Sequence, residues 1–328
     1  METVLAGDVG GTNARFVLFE NGQFNQASLH SLPVDRHNDL ADTIADYMAK
    51  TNCSALDKIA LSVASTARYE DEMALTNCPV RFSVSGLVER FRLQGAHVIN
   101  DFTAAALGVV SLPAEHLHVV HKGKPDASAP RAVLGPGTGL GVSGLVYSGD
   151  HWIPLQGQGG HVTAVVQTQR ELSINNVLAE QFGHVSAERY LSGPGLVSVY
   201  NAICQLDNLP LQCESPTEIT AKAIAAECPA CIEVMQLFCK LLGVVAGNLA
   251  LTLGASGGIY ISGGIVPRLG NYFLKSDFLA ELHNKGRFSD FIADMPVWLV
   301  KSGEPALYGA YQSLDSRYNH FGHSVQLC

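Results

Sequence analysis

The stretch Gly7-Asp8-Val9-Gly10-Gly11-Thr12-Asn13-Ala14-Arg15 joins two strand-like runs, Val4 to Ala6 and Phe16 to Phe19. Glycines in a strand-to-strand turn tolerate φ > 0 and leave backbone N–H groups uncovered. A concavity of such donors suits a polyphosphate. Asp8 is out of keeping with a phosphate unless a cation lies between the two. The stretch therefore reads as a nucleotide-phosphate hairpin with Asp8 facing Mg²⁺, often through water. The plainer alternative is an ordinary glycine-containing hairpin turn. It is not a Walker A loop, because no Gly-Lys-Ser/Thr closes it and no helix signal follows. Nor does it open a helix as a dinucleotide fingerprint does.

Around this hairpin the chain alternates strand and helix. Lys58 to Val63 reads as a strand after a helix from Asn38 to Lys50. A helix from Val84 to Phe91 precedes the strand Ala96 to Asn100, and Asp101 to Val110 reads as a helix. That order implies a largely parallel sheet covered by helices. Asn100 and Asp101 then fall at the carboxyl edge of the sheet, where open α/β folds bind ligands. The helix N-terminus there stabilises the Asp101 carboxylate, although Asn and Asp are also common helix caps.

A second glycine-rich stretch, Gly135-Pro136-Gly137-Thr138-Gly139-Leu140-Gly141, again lies between strands, Arg131 to Leu134 and Val142 to Tyr147. The repeated device suggests two related halves facing one nucleotide. Beyond it the chain is helix-rich: Thr168 to Phe182, Gly195 to Leu206, Pro216 to Ala226 and Ile232 to Leu253. A strand at Ile259 to Ser262, another at Pro296 to Val300 and a helix from about Pro305 to Leu314 complete it. No charge occurs from Leu241 to Pro267, long enough to span a membrane. The glycines within it, and the change from helix to strand character midway, make it a buried core segment. Gly243 and Gly247 would let another backbone approach.

The 328 residues are enough for two domains. A composition of 47% hydrophobic and 16% charged residues is that of a compact globular protein, and a net charge of −9 argues against nucleic acid as the main partner. Eight irregularly spaced cysteines do not form a disulfide framework. Cys228-x-x-Cys231 has no second pair near it and reads as structural. His116-x-His118 has no acidic or thiol partner close by and reads as a solvated strand face. No signal peptide is evident at the amino terminus, so a cytoplasmic protein with reduced thiols is expected. Gly157-Gln158-Gly159-Gly160-His161 suggests backbone held close to a small hydroxyl-rich ligand, and Glu188 precedes a Gly193-Pro194-Gly195 turn.

Together these stretches, with Ile99–Ala104, Gly183–Arg189, Leu191–Val197 and Gly258–Arg268, resemble the bacterial glucokinases of the hexokinase/actin/Hsp70 fold almost end to end. The resemblance implies a two-domain actin-like ATPase (ribonuclease H-like) α/β fold, with smaller and larger domains around a cleft. The small domain would take residues 1–110 plus a C-terminal helix at about 303–328, and the large domain 111–302. It implies ATP-dependent phosphorylation of glucose at the 6-hydroxyl, with Asp101 as general base. Gly7, Asp8, Val9, Gly10, Gly11, Thr12 and Asn13 would hold ATP phosphates with Gly137, Thr138 and Gly139, and Gly263 and Gly264 would lie near the adenosine. Mg²⁺ would bridge phosphate oxygens, with Asp8 holding it through water. Asn77, Asn100, Asp101, Gln158, His161 and Glu188 would bind the sugar, and a cytoplasmic homodimer is expected. The family places a glutamate where this chain has Gln158, which bears on sugar preference. Val63–Tyr69, Val80 and Gly303–Gly309 also depart from the pattern. The rivals are a kinase for mannose or fructose, and a non-catalytic sugar or nucleotide sensor.

Overall fold

The structure is a computed structural model that describes residues 2–64, 70–75, 80–301 and 304–326. The chain divides into two compact units, unit 1 at residues 1–114 with 302–328 and unit 2 at 115–301. Asn77 and most of the departing segment 63–69 lie outside the described residues.

The strands, in chain order, begin with β1 (Thr3–Val9), β2 (Asn13–Glu20), β3 (Gln23–Phe24), β4 (His30–Pro33) and β5 (Lys58–Val63). Next come β6 (Glu72–Ala74), β7 (Arg81–Ser83), β8 (Gly95–Asn100), β9 (Leu117–His121) and β10 (Arg131–Pro136). The last are β11 (Leu140–Tyr147), β12 (Trp152–Leu155), β13 (Gly258–Ile261), β14 (Val297–Val300) and β15 (Gly322–Gln326). Helices α1 (Leu40–Thr51), α2 (Val84–Phe91) and α3 (Asp101–Gly108) belong to unit 1. Unit 2 holds α4 (Gln169–Phe182), α5 (Gly193–Asp207), α6 (Pro216–Ile224) and α7 (Pro229–Leu253). It also holds the short α8 (Val266–Leu269), α9 (Asn271–Leu274), α10 (Phe278–His283) and α11 (Ser289–Ala293). Helix α12 (Pro305–Gln312) returns to unit 1.

The sheet of unit 1 runs β3-β2-β1-β5-β8-β15, and that of unit 2 runs β12-β11-β10-β13-β14-β9. In the first, β1, β5 and β8 are parallel, the β1–β2 hairpin flanks one side and β15 pairs antiparallel on the other. In the second, β10, β13 and β14 are parallel, the β10–β11 hairpin flanks one side and β9 pairs antiparallel on the other. The glycine hairpins occupy equivalent places in the two sheets. The two halves therefore repeat one strand plan.

Alternation along β1 sends Leu5 and Val9 into a core with Phe16, Ile44, Tyr47, Ile59 and Leu61. Val4 and Ala6 face the opposite way, against Val17, Phe19 and Leu307 of α12. On that second face α3 and α12 touch backbone to backbone. A Cβ at Gly108 would lie 1.8 Å from the Pro305 carbonyl oxygen, and one at Gly309 would lie 1.7 Å from that of Ala104. These two glycines allow the contact because they lack side chains. In unit 2, α7 is long and apolar enough to cross a membrane by length and composition, but two-thirds of that window is buried inside the protein. A Cβ at Gly243 would lie 2.2 Å from the Phe278 carbonyl oxygen, and one at Gly247 would lie 2.6 Å from that of Leu282, so these small residues admit α10.

Several expectations are revised. The segment after residue 302 supplies β15 as well as a helix. His116 closes a 3₁₀ turn instead of opening a strand, so it does not share a strand face with His118 on β9. Gly7, Gly10, Gly137 and Gly139 do not take positive φ. At Gly7 the reason for glycine is space, since a Cβ would meet Leu61 and Phe16 at 2.7–2.8 Å. Cys228 sits at the start of α7, Cys231 is buried, and the described cysteines are all free thiols.

Candidate active site

In unit 1 the first motif is mostly strand. Gly7 pairs with Phe16, Asp8 with Arg15 and Val9 with Ala14, so the turn proper is Gly10 to Asn13, closed by the Gly10 N–H donating to the Asn13 carbonyl at 3.0 Å. The cross-strand register puts Asp8 beside Arg15, whose guanidinium donates to Asp8 Oδ2 at 2.5 Å and to Glu304 Oε2 at 2.6 Å. On the other side Asp8 neighbours Ser62 of β5, and Ser62 Oγ donates to Asp8 Oδ1 at 2.9 Å. Glu304 adopts φ 50°, ψ 61°, a left-handed conformation unusual for a residue with a Cβ, just before Pro305 starts α12. Ser62, Arg15 and Glu304 escaped the sequence reading. For Arg15 the missing signal was register: extending both strands inward to the turn places residue 15 opposite residue 8.

At the carboxyl end of β8, Asn100 caps α3 by accepting from the Phe102 and Thr103 N–H groups. Asn100 Nδ2 also donates to Asp101 Oδ1 at 2.9 Å. Asp101 is thus the first helical residue, and its Oδ1 accepts from the Phe102 N–H at 2.7 Å. The helix end stabilises the carboxylate as expected, through the Phe102 N–H, but other effects outweigh it. Burial pushes the Asp101 carboxyl above the ordinary carboxylate range, the Phe102 N–H opposes this, and the charge of Asp8 adds to the rise. Glu304 is also raised, by burial first and by Asp8, with Arg15 opposing.

In unit 2 the second hairpin pairs Gly135 with Gly141 and Pro136 with Leu140. One pair before the turn, where the first hairpin has Asp8 opposite Arg15, this one has glycine opposite glycine. Its turn is closed by the Gly137 N–H donating to the Gly139 carbonyl at 2.8 Å. Three neighbours clamp it. Gly263, at φ 84°, lies so close that a Cβ would be 2.4 Å from the Pro136 oxygen. The Gly193 N–H donates to the Gly137 carbonyl at 2.8 Å, and Glu188 Oε2 accepts from the Leu140 N–H at 2.9 Å. The turn carrying Gln158 and His161 packs on the next residues of β11. A Cβ at Gly160 would fall 2.0 Å from the Leu140 oxygen, and one at Gly159 would fall 2.7 Å from Val142. Gln158 and His161 are exposed, and Glu188 is half-buried. Unit 2 thus gathers Gly137–Gly139, Gly263, Gln158, His161 and Glu188 around one hairpin. Unit 1 gathers Asp8, Asn100 and Asp101.

The family model described as "Glucokinase" matches residues 5–317. The chain is 44% identical to a glucokinase of Aromatoleum aromaticum over 312 residues, covering 95% of this chain and 94% of the relative. A crystal structure of a glucokinase from an Antarctic psychrotroph superposes with a TM-score of 0.83 at 32% identity, covering 96% of this chain and 99% of that one. A ROK family glucokinase from Streptomyces griseus, in complex with glucose and AMPPNP, shares the fold at a TM-score of 0.61 and 18% identity, covering 94% of this chain and 98% of that one. The fold is the two-domain α/β architecture of these sugar kinases, that of the actin-like ATPases. With the match running through both hairpins, Asp101 and the Gly263 turn, the chain belongs to the glucokinase family.

Proposed function

We propose that the chain transfers the γ-phosphoryl group of ATP to the 6-hydroxyl of glucose, giving glucose 6-phosphate and ADP, with Asp101 as the general base. The observation that carries this assignment of the base is the place of Asp101, largely buried where a parallel strand ends and α3 begins, where burial raises its pKa. A base accepts a proton more readily as its pKa approaches the working pH. The 6-hydroxyl proton passes to Asp101 as its oxygen attacks phosphorus, and the bond from phosphorus to the ADP oxygen breaks. Asn100 orients Asp101 by donating from Nδ2 to its Oδ1. Phosphoryl transfer needs positioning and charge stabilisation more than covalent help from the protein. Backbone donors of the Gly10–Asn13 and Gly137–Gly139 turns suit the phosphates, and Gln158, His161 and Glu188 offer donors and acceptors to sugar hydroxyls.

A divalent cation fits the charge of unit 1. Asp8 and Glu304 share Arg15, and the charge of Asp8 raises the pKa of both Glu304 and Asp101. Among the described residues, no three His, Cys, Asp or Glu side chains could enclose an ion. Asp8 would therefore hold Mg²⁺ from the protein side through water, and the ion would supply neutralisation of phosphate charge. The family resemblance supports a cytoplasmic homodimer.

A coupled ADP-release assay over a panel of hexoses tests the reading. The wild type is expected to prefer glucose. Asp101→Asn is expected to lose about 10²–10⁴ in kcat while keeping its affinity for nucleotide. Absence of turnover on every hexose, or an Asp101→Asn variant within tenfold of wild type, would overturn it.

A further inference from the structure

We propose that Glu188 is a positioning residue for the second phosphate turn, and that it ties sugar affinity to nucleotide affinity through the Leu140 N–H. The inference rests on the sugar-binding role given to Glu188 above.

Glu188 Oε2 is committed to the backbone of the turn by its bond to Leu140. The same oxygen lies 2.6 Å from where a Cβ on Gly139 would stand, so glycine at 139 is what allows the carboxylate to rest there. Its own backbone is fixed. The Glu188 carbonyl accepts from Ser192 Oγ at 2.8 Å, and a Cβ at Gly195 would lie 2.9 Å from that carbonyl oxygen. The segment after Glu188 also holds the other end of the turn, through the Gly193 N–H on the Gly137 carbonyl. The adjacent cation is engaged elsewhere, since the Arg189 guanidinium lies 3.9 Å from the centroid of the Phe182 ring. Glu188 therefore keeps its second oxygen for a ligand hydroxyl while the first holds the turn. A sugar bonded to Oε1 orients Oε2 and, with it, the Leu140 N–H and the turn. By linkage the nucleotide must help the sugar by the same factor.

Two alanines in the same turn separate this role from a general loss of loop structure. Neither Gly137 nor Gly139 has positive φ, so both accept a Cβ on backbone grounds. A Cβ at Gly137 meets nothing closer than the Gly264 nitrogen at 4.0 Å, whereas one at Gly139 displaces the Glu188 carboxylate. Calorimetry of the full chain would measure glucose binding with and without AMPPNP, and AMPPNP binding with and without glucose. In the wild type each ligand is expected to tighten the other by roughly fivefold or more, and Gly137→Ala, whatever it costs in AMPPNP affinity, is expected to keep that factor. In Gly139→Ala the factor is expected to fall towards one, and glucose alone to bind roughly fivefold more weakly. Hydrogen exchange at the Leu140 amide is expected to slow on adding glucose to the wild type and not to Gly139→Ala. A wild type that phosphorylates glucose with a coupling factor of one, or a Gly139→Ala variant that keeps the wild-type factor, would overturn the inference alone. A wild type that neither binds nor phosphorylates any hexose would overturn the kinase reading with it.

Discussion

His97 lies on β8, three residues before Asn100, and is 2% exposed. The backbone of Ser313 bonds to its ring, Ser324 Oγ of β15 lies 3.4 Å from Nδ1, and Nε2 finds no partner among the described residues. A Cβ at Gly322 would come within 2.3 Å of Nε2, so β15 closes directly over the imidazole. Burial brings its pKa from 6.5 down to about 4, against the Ser313 bond and with a small contribution from His323. The folded state therefore keeps His97 neutral where the unfolded chain protonates it. Between pH 6.5 and 4 the unfolded state binds more protons, so stability falls as pH falls through that window. A pKa unit corresponds to about 1.36 kcal/mol, which makes the full penalty roughly 3 kcal/mol and the loss from pH 7 to pH 5 roughly 2 kcal/mol. Urea unfolding of the wild type and His97→Gln at the two pH values, followed by circular dichroism, isolates this contribution as a double difference. The variant is expected to lose about 2 kcal/mol less than the wild type on acidification, whatever its stability at pH 7. NMR titration of the His97 ring gives the folded pKa directly. A folded pKa above 6, or identical pH dependence in the two proteins, would refute the reasoning.

Two further outcomes follow from the packing and the site. Gly309→Ala places a methyl group into the Ala104 carbonyl and should destabilise the protein by about 1–3 kcal/mol or more. Because Asp101 begins the helix that would be displaced, kcat should fall as well; an unchanged melting temperature would show that α12 yields freely. Gln158→Glu replaces an amide donor with a second acceptor for a sugar hydroxyl, worth about 1–3 kcal/mol if one bond is now mismatched. The KM for glucose should drop several-fold in a steady-state assay, and an equal or higher KM would mean that the site has adapted to the amide.

The hairpins, the Asn100–Asp101 edge and the burial of α7 were legible because their signals are local: glycine spacing, a strand ending in polar residues, small residues at 243 and 247. What the residues alone did not disclose depends on contacts far apart in sequence or on a net of opposing effects. Asp8 meets Arg15 only once the hairpin register is set, and Glu304 joins them from the far end of the chain. The positive φ assumed for the turn glycines was a plausible use of glycine, yet at Gly7 and Gly139 the missing Cβ matters for space. For Asp101 the helix-end effect was foreseen, but burial and the Asp8 charge outweigh it. The Glu188–Leu140 bond spans 48 residues and has no sequence signature.

The split of unit 1 also has a consequence for synthesis. Its two parts are separated by roughly 190 residues of unit 2, which a ribosome emits over about 10–40 s. Throughout that interval the nascent chain lacks α12 and β15. The glycine-notched side of α3 has nothing to seat against it, and β8 presents an open edge of the kind that recruits foreign strands. Unit 2 is uninterrupted and can condense first. The helix that carries Asp101 gains its final packing only after residue 312 has emerged, so unit 1 is finished last and depends longest on being shielded from other chains.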